Sequence, residues 1–375
     1  MSGEQAGGQA AAGPRETPGL RGCPHPLIEA YDTALLDLDG VVYLGGSGIP
    51  GAAEALHKAA TSMGLAYVTN NASRTPAAIG EQLAQMGVPV WPGSVITSAQ
   101  AAARLLSERL PHGSPVLVIG GAGLRLAVRE RGLRPVSTAL DRPAAVVQGY
   151  QRHIDYLLLA EGTLAVAAGA IFVASNADST LPSPRGKLPG NGALVQVIRV
   201  ATGRDPIVAG KPEPSMHKEA MLRTGARRPL VVGDRLDTDI EGANRVDADS
   251  LLVLTGVSHP SDVVLAPPRR RPSYVAADLT GLLEPHPLPT GGQGEPLRCN
   301  GWQARWLSGN GGAGNGEDTA GDQGTGGDAG HGPRIELTGS GDPIDALRVL
   351  CAACWSRDRV TADMVAAALR AVGLA

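Results

Sequence analysis

The chain has 375 residues, enough for two or three domains and a sizeable core. Its 33 Lys and Arg against 36 Asp and Glu leave a net charge of −3, and no basic run interleaved with aromatic residues occurs, which speaks against a nucleic-acid partner. Four scattered cysteines, Cys23, Cys299, Cys351 and Cys354, do not make a disulfide framework and fit a reducing cytoplasm.

Residues 1–27, rich in Gly, Ala, Gln and Pro, read as a disordered segment without the apolar stretch of a signal peptide. No apolar run reaches membrane-spanning length, so a soluble cytoplasmic protein is expected. From Thr33 short apolar runs alternate with helix-period segments, the pattern of a doubly wound, Rossmann-like α/β fold with a parallel sheet. Buried strands are predicted at Ala34–Leu38, Leu65–Thr69, Pro115–Ile119, Ala144–Gln148, Ile171–Ser175, Ile207–Ala209, Leu230–Gly233, Leu251–Leu254 and Tyr274–Ala276. These are many for one small sheet, and the segment 88–189 holds elements that a core of residues 28–87 and 190–284 does not need. Thr75 and Pro76 read as the N-cap and first residue of a helix carrying Ile79, Leu83 and Met86, with Gly87 at its end.

After Leu283 the texture turns to Pro, Gly and His, and residues 285–333 read as a linker region whose stretch 308–333 is too polar to pack. Beyond it residues 334–375 form a small unit with helices starting at Asp342-Pro343 and Thr361, and residues 296–307 supply a strand to it. Cys351-x-x-Cys354 lacks a second pair, so helix packing is expected there rather than zinc.

Four strand ends carry polar chemistry. The first reads Asp37-Leu38-Asp39-Gly40, two carboxylates that repel unless a cation or proton lies between them, although an Asp-Gly turn looks the same. The second reads Thr69-Asn70-Asn71-Ala72-Ser73-Arg74, donors suited to phosphoryl oxygens or to helix capping. The third is Gly210-Lys211-Pro212, one lysine on a proline-stiffened turn. The fourth is Gly233-Asp234 with Asp237 and Asp239 behind it, acids that also serve to cap a helix.

In that order the four pieces resemble the haloacid dehalogenase (HAD) superfamily of phosphatases, in particular the NagD-like and 4-nitrophenylphosphatase-like subgroup, over about Thr33 to Leu283. The resemblance implies that residues 88–189 form an α/β cap of type IIA over the active site. It implies Asp37 as nucleophile, Asp39 as general acid and base, and Thr69, the main-chain amide of Asn70 and Lys211 as holders of the transferring group. It further implies Mg2+ on Asp37, the Asp39 carbonyl and Asp234, with Asp239 orienting the metal shell and Asp237 facing solvent. Asn71, Arg74, Asn176 and Leu181 are the further substrate-binding candidates, the last two from the loop after a cap strand; Asp178 beside them reads equally as a capped turn.

Short uncharged cap residues and a chain with a single Phe suit a small phosphomonoester better than a nucleotide. Among the family's members the composition and the C-terminal extension, similar to part of an acetyltransferase fold, point to glycerol 3-phosphate. Alternatives that the sequence leaves open are phosphoglycolate or another sugar or nucleotide phosphate, phosphoryl transfer to an acceptor, and a silent sensor of a phosphorylated ligand. A membrane partner is not expected, and a homo-oligomer is left open.

Overall fold

The computed structural model describes residues 18–181, 183, 185–292, 294–307 and 333–374. Most of the Gly-rich stretch 308–333 and residues 1–17 lie outside these.

The four residues of the first strand, Thr33–Leu36, are all buried, as expected of a strand covered on both faces. They pair in parallel with Pro229–Gly233 on one side and Gly64–Thr69 on the other. Val95–Thr97 extends the sheet beyond Gly64–Thr69, while Asp249–Val253 and Tyr274–Ala276 extend the opposite side. The strand order therefore reverses at Thr33–Leu36, and the crevice at its carboxyl end is where such sheets take ligands.

A second parallel sheet runs Ile207–Val208, Ile171–Ala174, Ala145–Gln148, Pro115–Ile119, Arg134–Val136. Its outer layer is formed by the helices Tyr156–Ala167 and Asn191–Thr202, which bury Ala165, Val166, Val195 and Ile198 against Leu117, Val146 and Phe172. Its inner face shares one apolar cluster with the core sheet, where Val116, Val147 and Val173 meet Leu35, Ala66 and Val68 through the helix Ser98–Ser107. That helix buries Ala99, Ala101, Ala102, Ala103, Leu105 and Leu106 together with Ser98 and Gln100, so it is covered on most sides, as a position between two layers requires.

The boundaries of the insertion differ from those expected. Val95–Thr97, assigned to the insertion, is the edge strand of the core sheet, whereas Asn191–Thr202 and Ile207–Val208, assigned to the core, belong to the second sheet. The crossings between lobes fall near residues 108–114 and at Ala209–Gly210. Disorder through residue 27 is also not what the structure shows at residues 18–27. Arg21 N donates to Ser273 O at 2.8 Å, Cys23 pairs with His286, and Leu27 is fully buried, so this segment is held by the edge of the sheet and the chain leaving it.

The C-terminal residues form an antiparallel sheet of Leu297–Cys299, Trp302–Leu307 and Arg334–Gly339, with the helices Pro343–Trp355 and Ala362–Ala371. Asp342 and Thr361 cap those helices by accepting from Ile344 N and Met364 N. Leu347, Leu350 and Cys351 pack with Val263, Val264, Leu252 and Val275 of the core, so the extension shares a hydrophobic cluster with the main sheet. Arg348, buried there, donates to Asp345 and to Val275 O at 2.6 and 2.8 Å. Among the described residues no helix is long and apolar enough to cross a membrane.

Candidate active site

Asp37 follows the first strand directly, its N–H donating to Val232 O at 2.8 Å, so the carboxylate emerges at the reversal point of the sheet. Lys211, 4% exposed, projects to the same point from the turn after Gly210. Its ammonium lies 2.6 Å from Asp37 Oδ1 and 2.7 Å from Asp239 Oδ1, and donates to Val68 O at 3.1 Å. Asp234 arrives on the neighbouring strand and is 1% exposed.

Three carboxylates from Asp37, Asp234 and Asp239 thus offer oxygens within 4.8 Å of one another, against one ammonium. The electrostatics record the surplus. Desolvation, opposed by Lys211 and reinforced by Asp239 and Asp234, pushes Asp37 up to about 8. Desolvation and Asp239 push Asp234 up to about 6 against the Val257 amide and Lys211. Burial by itself depresses the Lys211 ammonium, but Asp239 and Asp37 outweigh it and keep it charged.

The donor set fits a hard divalent cation. Asp239 commits Oδ1 to Lys211 and Oδ2 to the Arg235 amide at 3.1 Å, whereas Asp234 accepts from Val257 N through Oδ2 at 2.7 Å and keeps Oδ1 buried without a hydrogen-bond partner. A buried carboxylate oxygen left unpaired beside two other acids is costly unless a cation meets it. The backbone is drawn tightly around Asp234: a Cβ on Gly40, whose φ is +82°, would fall 2.4 Å from Oδ2, and one on Gly256 2.0 Å from it.

Asp39 stands two residues beyond Asp37 and is the more exposed of the two. Desolvation raises it above the usual carboxylate range despite the Lys211 charge and a hydrogen bond from Tyr43. Thr69 is buried, with Oγ1 accepting from Asn71 N at 3.2 Å.

Several predicted substrate contacts are spent on the protein itself. Asn71 Oδ1 accepts from Ser73 N and Arg74 N at 3.0 and 3.1 Å and shapes the loop. The Arg74 guanidinium turns onto the helix Pro76–Gln85, donating to Ala78 O at 2.6 Å and to Gln82. Asn176 is buried and bonds Asn70 O at 2.8 Å and, through Oδ1, Asp178 N at 3.2 Å. Leu181 is half-buried in a hairpin of Thr180–Leu181 with Leu188–Pro189. Asp237 pairs with Arg235 at 2.9 Å and is half-exposed. Sequence reasoning missed the loop Thr255-Gly256-Val257, which holds Asp234 and, through Thr255 Oγ1, Gly40 O at 2.5 Å. The signal was the glycine just past a buried strand at the same sheet edge.

The chain belongs to the haloacid dehalogenase-like hydrolases: that family's model matches residues 34–134 and a HAD-hydrolase-like model matches residues 208–282. Within the family it falls among the phosphoric monoester hydrolases. It is 47% identical over 256 residues to D-glycerol 3-phosphate phosphatase of Mycobacterium tuberculosis, covering 68% of this chain and 72% of that one. The solved structure of a glycerol phosphate phosphatase from Mycobacterium tuberculosis in complex with magnesium superposes with a TM-score of 0.78 at 38% identity, covering 94% of this chain and all of that one. Acid sugar phosphatase of Staphylococcus aureus is 39% identical over 239 residues, 63% of this chain and 91% of its own length. A GCN5-related N-acetyltransferase like model matches residues 329–374.

Proposed function

We propose that the chain is a magnesium-dependent phosphatase of glycerol 3-phosphate in which Asp37 carries the phosphoryl group between two half-reactions. The observation that carries this reading is the buried Lys211 ammonium joining Asp37 to Asp239 beside the unpaired Asp234 Oδ1. A pure binding site for an anion has no use for three acids at its floor, which is why the silent-sensor alternative is set aside. Asp37, Asp234 and the main-chain carbonyl of Asp39 would hold magnesium, which when bound neutralises phosphate charge facing an anionic nucleophile.

The carboxylate of Asp37 attacks phosphorus, and the bond from phosphorus to the glycerol oxygen breaks. Asp39 donates its proton to that oxygen, and desolvation raises the proton affinity of this carboxyl. Water then attacks the acyl phosphate, Asp39 takes the water's proton, and inorganic phosphate leaves with Asp37 restored. Lys211 compensates charge on Asp37 and on the transferring oxygens, Thr69 and the main-chain N–H of Asn70 hold those oxygens, and Asp239 keeps Lys211 in place. Asn71, Arg74, Asn176 and Leu181 enter as shapers of the pocket wall.

Glycerol 3-phosphate is favoured by the relative that bears its name at 47% identity and by the match to a solved glycerol phosphate phosphatase that extends over the C-terminal unit. Phosphate release should be measured with magnesium from glycerol 3-phosphate, phosphoglycolate, a hexose phosphate and a nucleoside monophosphate. The highest kcat/KM is expected for glycerol 3-phosphate, and a clear preference for the hexose phosphate would overturn the substrate assignment. Adding an alcohol acceptor separates hydrolysis from transfer, the expected product being inorganic phosphate alone.

A further inference from the structure

The side chain of Asn70 closes a two-point pair on the main chain of Lys211. Lys211 N donates to Asn70 Oδ1 at 2.8 Å, and Asn70 Nδ2 donates back to Lys211 O at 3.2 Å. The same Nδ2 reaches the carboxylate of Asp178 in the second lobe at 3.3 and 3.4 Å. The main-chain oxygen of Asn70 meanwhile accepts from Asn176 Nδ2 at 2.8 Å and Ser98 Oγ at 2.7 Å. Gly210 lets these strands of chain meet, since a Cβ there would lie 2.7 Å from Asn70 Oδ1 and 2.6 Å from Ser175 O. One amide thus binds together the strand end carrying Thr69, the turn delivering Lys211 and the loop Asn176–Asp178 of the cap lobe.

We propose that Asn70 is a positioning residue for Lys211, and that Asp178 shares its amide so that the placement of the cap loop is felt at the lysine. A lysine side chain has four rotatable bonds, so the point from which it starts decides where its ammonium ends. Here that ammonium must meet Asp37, Asp239 and Val68 O together. The side chain of Asn70 is therefore used on the protein, not on the substrate, and its effect on turnover passes through Lys211. This rests on the assignment of Lys211 to phosphoryl transfer.

The test compares Asn70→Ala, Asn70→Asp and the exchange pair N70D/D178N in magnesium-loaded full-length protein. Two quantities are read: steady-state turnover of glycerol 3-phosphate and hydrogen exchange at the Lys211 amide. Asn70→Ala should speed exchange at Lys211 and lower kcat by about tenfold or more, with KM within roughly a factor of two, since small misplacements of a reacting group carry that cost. Asn70→Asp keeps the acceptor for Lys211 N but sets two carboxylates against each other, so kcat falls while Lys211 stays protected. The exchange pair restores a donor opposite an acceptor and should recover most of the kcat lost in Asn70→Asp. Loss confined to KM would show that the Asn70 side chain touches substrate and overturn the proposal, as would unchanged Lys211 exchange in Asn70→Ala. The exchange measurement needs no turnover, so it decides the positioning claim even if the wild-type chain releases no phosphate.

Discussion

Replacing Asp234 with Asn should stabilise the metal-free protein while removing its activity. Asn keeps an oxygen for the Val257 amide, which Asp234 engages at 2.7 Å, so the loop that holds it is preserved. What disappears is one of three clustered negative charges. Asp234 rises from 3.8 to about 6 in the folded chain, chiefly through desolvation and then the charge of Asp239. A carboxyl with a raised folded pKa favours the protonated fold, so its penalty is absent below pH 4, grows as pH rises through that interval and is complete above pH 6. Two units correspond to about 3 kcal/mol at most, and relaxation makes 1 to 3 kcal/mol the working range. At roughly 2–4 °C per kcal/mol, the Tm of Asp234→Asn in chelator at pH 8 should exceed that of wild type by several degrees. The gain should shrink toward pH 5. Magnesium should then raise the wild-type Tm and move the variant much less, because binding to the folded state alone stabilises it. A variant that melts at or below wild type in chelator would refute the claim that these acids repel one another for want of a cation.

Other expectations bear on separate parts of the molecule. Asp39→Asn should slow alkyl phosphates far more than 4-nitrophenyl phosphate, whose leaving group needs no proton, and equal slowing in steady-state assays would contradict the acid role. Glu219, fully buried among Arg131 at 2.7 Å, Arg223 at 2.5 Å and Arg104, joins the cap and core helices, so Glu219→Gln should lose about 3 kcal/mol in denaturant unfolding. Burial, helped by the Lys211 charge, lowers His217 from 6.5 to about 3, so the fold holds this ring neutral. Its contribution is therefore lost as pH falls below 6.5, by roughly 3 kcal/mol at pH 4, and His217→Gln should show a shallower acid decline in urea titrations. Leu181→Ala should shift the kcat/KM ratio between glycerol 3-phosphate and phosphoglycolate by up to about tenfold, whereas a common loss on both would assign the hairpin to stability instead.

The buried strands were legible because runs such as Ala34-Leu35-Leu36 and Leu230-Val231-Val232 are apolar on both faces and end in acid or glycine. Val95–Thr97 is too short to stand out, and Arg134-Pro135-Val136 carries a proline that only an edge strand tolerates, which is where it lies. The division of the strands between two sheets was not legible at Ile207–Val208, because a parallel pair with Ile171–Ala174 depends on where the intervening helix packs. In the site, the order of motifs brought out Asp37, Lys211 and Asp234. The destinations of Asn71, Arg74 and Asn176 stayed hidden, since an amide or guanidinium that serves a phosphate reads the same as one that serves a carbonyl. The support of Asp234 by Val257 joins residues 23 positions apart, and Gly256 after its buried strand marks the loop in the sequence without naming the partner.

Transfer of the phosphoryl group to Asp37 is the central claim. Rapid quench of the magnesium-loaded chain with glycerol 3-phosphate labelled in its phosphoryl group, followed by peptide mapping, follows that group directly. The label should appear on the peptide containing Asp37 within a single turnover, decay as inorganic phosphate forms, and be missing in Asp37→Asn. Phosphate released at the full rate with no label ever reaching Asp37 would contradict a covalent route and with it the role given to this aspartate.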